Sequence, residues 1–166
     1  MAAVLLGKSG DGREIEYLVT KLGDSDKRVR KCAMLALVEM GDPALERISN
    51  ALKASDWIIR YRAAEALGLM GNADAVNTLI EALGDEKDHV RYMAAKGLYM
   101  LAEIRSVGPL ISILDDENQY VRSMAIRALG RIGGVQACEA LHLALTRERS
   151  DSVMREISRT IKKSCP

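Results

Sequence analysis

The chain has 166 residues, 48% hydrophobic, 28% charged and 4% aromatic, with a formal net charge of +1. That length suits one ordinary domain with ample core, and near-zero charge removes the bulk electrostatic case for nucleic acid or an anionic membrane surface. No apolar run approaches the roughly eighteen residues of a membrane span. The opening MAAVLLGKSG is too short, and lacks the basic segment, for a secretory signal. Cys32, Cys138 and Cys165 are odd in number and far apart, with no CxxC pair. They point away from a disulfide framework and towards a reducing compartment, the cytoplasm.

One pattern recurs about every 31 residues and orders the whole chain. Its first trace is residues 1–10, which map onto the second half of a later unit: Leu6 onto Leu37 and Gly10 onto Gly41. They read as a half-repeat whose apolar Ala2, Val4, Leu5 and Leu6 offer a route to association at that end. Five full units follow, at 11–41, 42–71, 72–102, 103–133 and 134–166. Each opens with an amphipathic helix: Ile15, Leu18 and Leu22 are matched by Leu45, Ile48 and Leu52, then by Val76, Leu79 and Leu83. Val107, Leu110 and Leu114 continue the series, and Cys138, Leu141 and Leu145 close it, which gives Cys138 the role of a small buried apolar residue.

The second helix of each unit carries Val29, Ala33, Leu37 and Met40, and their equivalents Ile59, Ala63, Leu67 and Met70. Val90, Ala94, Leu98 and Leu101 follow, then Val121, Ala125, Leu129 and Ile132. Alanine columns let neighbouring helices approach closely. Gly41, Gly71 and Gly133 supply left-handed helix ends, whereas Ala102 breaks that column and predicts a third turn that closes differently. Asp42 before Pro43 predicts a cap and first-turn proline; Pro109 predicts a kinked or late-starting helix. The last helix pairs apolar Val153, Met154, Ile157 and Ile161 with a polar face, as a terminal cap needs. The expectation is an all-α solenoid of about five two-helix repeats plus the half-repeat.

Segments such as YVRSMAIRALGRIGG and AVNTLIEALGDEKDHVR resemble HEAT-like repeats, in particular the short subclass named after phycobilisome lyases. The resemblance covers essentially the whole chain. It implies a right-handed superhelix whose second helices line the concave side. It also implies an arginine column, Arg30, Arg60, Arg91, Arg122 and Arg155, bridged to neighbouring repeats by acids at Asp24, Asp85 and Asp116. Ala54 and Arg149 occupy the acidic place in the second and last units, which predicts interrupted rungs there.

With the core stripe fixed, the opposite face of the second helices carries the chain's candidate binding residues. Four of six aromatics fall there: Trp57, Tyr61, Tyr92 and Tyr120. Ile58, Arg62, Leu69, His89, Met93, Lys96, Met124 and Arg127 complete the predicted partner-binding set. Exposed Trp, Tyr, Met and Arg are the composition of binding hot spots. Lys27, Arg28 and Lys31 flank the band on one side, Arg127 and Arg131 on the other. The partner this predicts is a peptide or helix with apolar anchors and acidic residues. The competing reading packs these tyrosines and methionines into the joints between helices.

Catalytic signatures are lacking. His89 and His142 lie 53 residues apart, neither in an HExxH or His-Glu pair, so the iron-binding repeats of deoxyhypusine hydroxylases have no counterpart. Gly133-Gly134 is a turn rather than a phosphate cradle, and Cys32 has no identifiable base. The chain therefore reads as a non-catalytic scaffold with no metal or cofactor. Two alternatives follow from resemblance. One is a chromophore-handling subunit like the phycobilin lyases; the other is a DNA-binding protein like the HEAT-like alkylpurine glycosylases. Glu39, Glu65 and Asp88 on the same face argue against the second.

Overall fold

The computed structural model describes residues 12–165. Residues 1–10, read above as a half-repeat, and the association expected through them lie outside that range. Among the described residues there are ten α-helices and no strand. The first helices of the pairs are α1 (Gly12–Lys21), α3 (Asp42–Ala51), α5 (Val76–Glu81), α7 (Val107–Ser112) and α9 (Val135–Arg147). The second helices are α2 (Lys27–Met40), α4 (Trp57–Met70), α6 (Asp88–Leu101), α8 (Gln119–Ile132) and α10 (Asp151–Ser164). Each second helix packs on its own partner and on the next second helix, so the pairs stack into a solenoid. The most extensive packing runs α4 to α6 to α8.

Both apolar columns are in the core. Leu22, Leu37, Ile48, Leu67, Leu79, Leu98, Leu110, Leu129 and Leu141 are fully buried. Val29 is exposed at the N-terminal edge of the described array, unlike its buried equivalents Val90 and Val121. Small residues set the helix spacing. A Cβ on Gly68 of α4 would lie 2.8 Å from the Cα of Gly97 on α6, so the two helices meet backbone to backbone.

Closely related turns feed the second helices. Asp26, Asp56 and Asn118 cap α2, α4 and α8 by accepting from the N–H two residues on, each at 2.8 Å. In four of the five turns a second acceptor stands two positions before the cap residue: Asp24, Asp85, Asp116 and Glu148 take the N–H of Asp26, Lys87, Asn118 and Ser150, while Ala54 stands before Asp56. Three of these acids also take the arginine of the preceding repeat. Arg60 forks onto Asp85 at 2.7 and 3.0 Å, and Arg91 onto Asp116 at the same distances. Arg122 forks onto Glu148 at 2.8 Å through both nitrogens. The remaining guanidinium nitrogen donates to the carbonyls at i−6 and i−5, as in Arg60 to Ala54 and Ser55. In Arg60 and Arg91 the last N–H reaches Glu86 or Glu117, so every donor direction of the fork is used, which a lysine could not do. The hydrogen bonds from Arg122 hold the Glu148 carboxyl below its ordinary range, against the burial that would raise it.

Several expectations need correction. The ladder is not interrupted at the last unit: Glu148, one residue earlier and one methylene longer than aspartate, fills the acidic place beside Arg149. Arg155 is exposed, because Met154 holds the ladder position four residues past the cap Ser150. Arg30 donates only to the carbonyls of Asp24 and Ser25, and its Nε is buried without a partner because Ala54 offers no carboxylate. Ala102 adopts φ 54, ψ 38, which matches Gly71 at φ 70, ψ 12 and differs from Gly41 at φ 66, ψ −142 and Gly133 at φ 74, ψ −160. Asp42 is the first residue of α3 behind the cap Gly41, and its carboxylate instead accepts from Asn72 of the next repeat at 2.7 Å. Pro109 is the third residue of α7, where its missing N–H costs nothing. A 3-10 turn precedes α7, but one also precedes proline-free α5, so the proline does not cause the late start.

Cys138 is not a lone buried thiol. It forms a disulfide with Cys165, tying α9 to the residue after α10, with Cα atoms 5.6 Å apart. Only Cys32 is free among the described residues, and it is exposed. Two of the three cysteines are bonded to each other, so the cysteine pattern does not point to a reducing compartment. No helix of the described chain is long and apolar enough to cross a membrane.

Candidate interaction surface

The face opposite the core stripe is built by the regular turns just described, which bring α4, α6, α8 and α10 side by side in one register. Trp57 opens α4 immediately after its cap Asp56 and is 37% exposed. Its indole meets the imidazole of His89, at the start of α6, with ring centroids 5.5 Å apart and planes tilted by 50°. His89 is held in turn by Asp88, whose carboxylate contacts both its ring and its N–H at 2.7 Å. The bonds from His89, with a further one from Asn118 of the next repeat, keep Asp88 below the usual carboxylate range.

One turn along, Tyr61 and Tyr92 are half-buried and pack on the core while keeping part of their surface outward. Burial, with Glu65 nearby, pushes the Tyr61 phenol up, so it stays a neutral donor and acceptor. Arg62 lies over the Tyr61 ring at 5.3 Å and pairs with Glu65 at 2.5 Å. Leu69 is 44% exposed and Tyr120 66% exposed, further apolar anchors on this face. Ile58 and Lys96 are half-buried, and His89 and Arg127 are exposed.

Two predicted contact residues are elsewhere. Met93 and Met124 are buried, 3% and 7% exposed, and fill the core between successive second helices. For them the packing alternative holds: their position on the helix turns them towards the neighbouring rod rather than outward.

Three residues outside the predicted partner-binding set join this surface from the last helix. Arg159, Thr160 and Lys163 of α10 face Arg127, Gly130 and Arg131 of α8 across an open cleft of about 480 Å³. A Cβ on Gly130 would collide with the Thr160 methyl, so the absent side chain is what brings α10 so close. An interior glycine in a helix marks such an approach, and that was the available signal. Arg131 lies over the Tyr99 ring at 4.8 Å, while Arg127 pairs with Glu156 at 2.8 Å.

No group of three or more His, Cys, Asp or Glu side chains is placed to hold a metal among the described residues. His142 is exposed and spends its Nδ1 on the Cys138 carbonyl at 2.8 Å.

The HEAT-repeat model matches residues 45–107 and 101–162, more than half of the chain. The chain belongs to the HEAT-repeat family. No curated protein matches it. Among solved structures, this HEAT-repeat chain is similar to the complex of CpcE and CpcF of phycocyanin lyase from Nostoc sp. PCC7120. That similarity has a TM-score of 0.81 and 22% identity, over 90% of this chain and 99% of that one. It is also similar to a designed armadillo repeat protein in complex with a (KR)4 peptide, at TM-score 0.63 and 18% identity, over 98% and 91%. Human deoxyhypusine hydroxylase follows at TM-score 0.64 and 23% identity, over 98% and 77%. At these identities the likeness concerns the fold.

Proposed function

We propose that this HEAT-repeat chain is a protein-interaction scaffold whose second helices dock a peptide or helix of a partner protein. The observation that carries this reading is the outward band of Trp57, Tyr61, Tyr92 and Tyr120, supplied by three successive helices and anchored by the Trp57–His89 contact. A tryptophan held against a histidine at the mouth of a helix, with tyrosines a turn away, offers large contact area at little entropic cost. The designed armadillo protein that binds a peptide uses the same kind of repeat array. Basic residues at both flanks, Lys27, Arg28 and Lys31 against Arg127 and Arg131, favour a partner with acidic residues beside its apolar anchors.

The test is retention of a partner by the intact chain, compared with Trp57→Ala/Tyr120→Ala. Both side chains are exposed, so helical content and melting should stay within experimental error. Loss of two hot-spot anchors should weaken binding about thirtyfold or more. Undiminished retention by the double variant would rule this face out.

A second reading is favoured by the near-complete overlap with the lyase subunits: a chromophore-handling role exercised with a partner subunit. Mixing the chain with a linear tetrapyrrole and following its visible absorbance decides it, a shifted and sharpened band being expected only if the chromophore is held.

A further inference from the structure

The cleft between α8 and α10 opens beside the close approach of Gly130 to Thr160. Four cations line it against one carboxylate: Arg127 and Arg131 from α8, Arg159 and Lys163 from α10, and Glu156. Glu156 is already engaged, at 2.8 Å from Arg127 and 3.7 Å from Arg159. Among the described residues no carboxylate pairs with Arg131 or Lys163. The Arg131 guanidinium lies over the Tyr99 ring, 4.8 Å from its centroid, a contact that favours this position at the cleft. In a chain whose net charge is only +1, this concentration of positive charge is local and specific.

The geometry points to this cleft as the docking site for an acidic stretch of a partner polypeptide, a proposal that rests on the reading of this face as a docking surface. Residues four apart on one helix are about 6 Å apart, and packed helices about 8–10 Å. The four cations therefore stand at the corners of a frame whose short edge matches alternate side chains of an extended peptide, about 6.6 Å apart. Two or three carboxylates of one segment can reach Arg131, Lys163 and Arg159 together, whereas a single small anion would reach one corner. Glu156 within the cleft, with Asp88 and Glu65 along the adjoining face, opposes a continuous polyanion such as nucleic acid. A peptide can set neutral residues opposite those carboxylates. The apolar part of the same partner would then run towards Tyr120 and Trp57.

The probe is a fluorescein-labelled peptide alternating glutamate with leucine, compared with its glutamine analogue by fluorescence anisotropy on the intact chain. The acidic peptide should bind about tenfold tighter or more. Arg131→Glu/Lys163→Glu should erase that preference, and Lys53→Glu, an exposed reversal far from the cleft, should leave it intact. Both cleft side chains are exposed, and circular dichroism checks that the variants fold. Equal affinities for the two peptides, including no binding of either, overturn the proposal, as does a preference that survives the double reversal. A single-stranded oligonucleotide that binds as tightly and is lost with the same reversals also overturns it, by giving the cleft to nucleic acid. If the glutamine peptide binds, and Trp57→Ala/Tyr120→Ala abolishes that binding while charge makes no difference, the docking face stands and the acidic cleft falls.

Discussion

A single side chain decides whether two repeats are locked or merely stacked. Arg60, Arg91 and Arg122 each cross to an acid that also caps the next turn, so one carboxylate ties a helix start, a turn and the preceding repeat. Arg30 has the same backbone acceptors but no acid, and its Nε is left buried and unpaired. The place is held by Ala54, two residues before the cap Asp56, where the other repeats carry Asp85, Asp116 or Glu148. Ala54→Asp should complete the rung and raise the unfolding free energy by about 1–2 kcal/mol, as a hydrogen-bonded charge pair replaces an orphaned donor. Urea unfolding measures the gain, and the same substitution in an Arg30→Gln background should give none. A gain that persists without the arginine would mean that the new aspartate acts only on its own turn. The interruption at this rung follows from the sequence alone, because position 54 is fixed by spacing. The completed rung at Glu148 does not, since an acid displaced by one residue reaches the same guanidinium with one more methylene. The likeness of Ala102 to Gly71 is hidden for a related reason: a left-handed alanine is strained but available when the following turn demands it.

At the level of helices, the repeat columns specify which rods touch, and glycines set how closely. A methyl on Gly68 would meet the Gly97 backbone and has nowhere to go except by parting α4 from α6, whereas one on Gly97 would press on the Leu79 side chain of α5. Gly68→Ala gains up to about 1 kcal/mol of helix propensity but incurs overpacking of about 1–3 kcal/mol, so the net effect should be destabilising. Denaturant unfolding reads the sign of the change; a stabilising Gly68→Ala would mean the two helices have room to part. The same sequence columns made the helix pairs, their core faces and the solenoid legible. They could not distinguish the two sides of the outward strip. Met93 and Met124 sit one position from Tyr92 and Ser123, a rotation of about 100°, which is enough to move a side chain from solvent into the seam. The aromatic band was visible because tryptophan and tyrosine are few in this chain. The place of α10 against α8 was not, because its match to the repeat slips by a residue.

Over the whole molecule, an array of pairs couples each repeat only to its neighbours, so a perturbation at one end should stay there. The disulfide offers the cleanest case. It joins Cys138 to Cys165, 27 residues apart and both in the last repeat, closing a loop whose entropy corresponds to about 3–4 kcal/mol. Neither cysteine helps hold α2 to α4 or α4 to α6. Reduction should therefore lower amide protection in α9 and α10, and at most along the contact of α10 with α8, while α2 through α6 keep theirs. Hydrogen exchange with and without a thiol reductant reads this directly, and Cys138→Ser/Cys165→Ser should reproduce the reduced pattern without reagent. Uniform loss of protection across all five repeats would show instead that the array melts as one unit, with the arginine ladder transmitting the change. The distinction bears on function, because α10 supplies one wall of the basic cleft. A terminal repeat that frays alone would loosen that wall and leave the Trp57–Tyr92 region of the face in place, so the two halves of the docking surface could be separated by the state of one covalent bond.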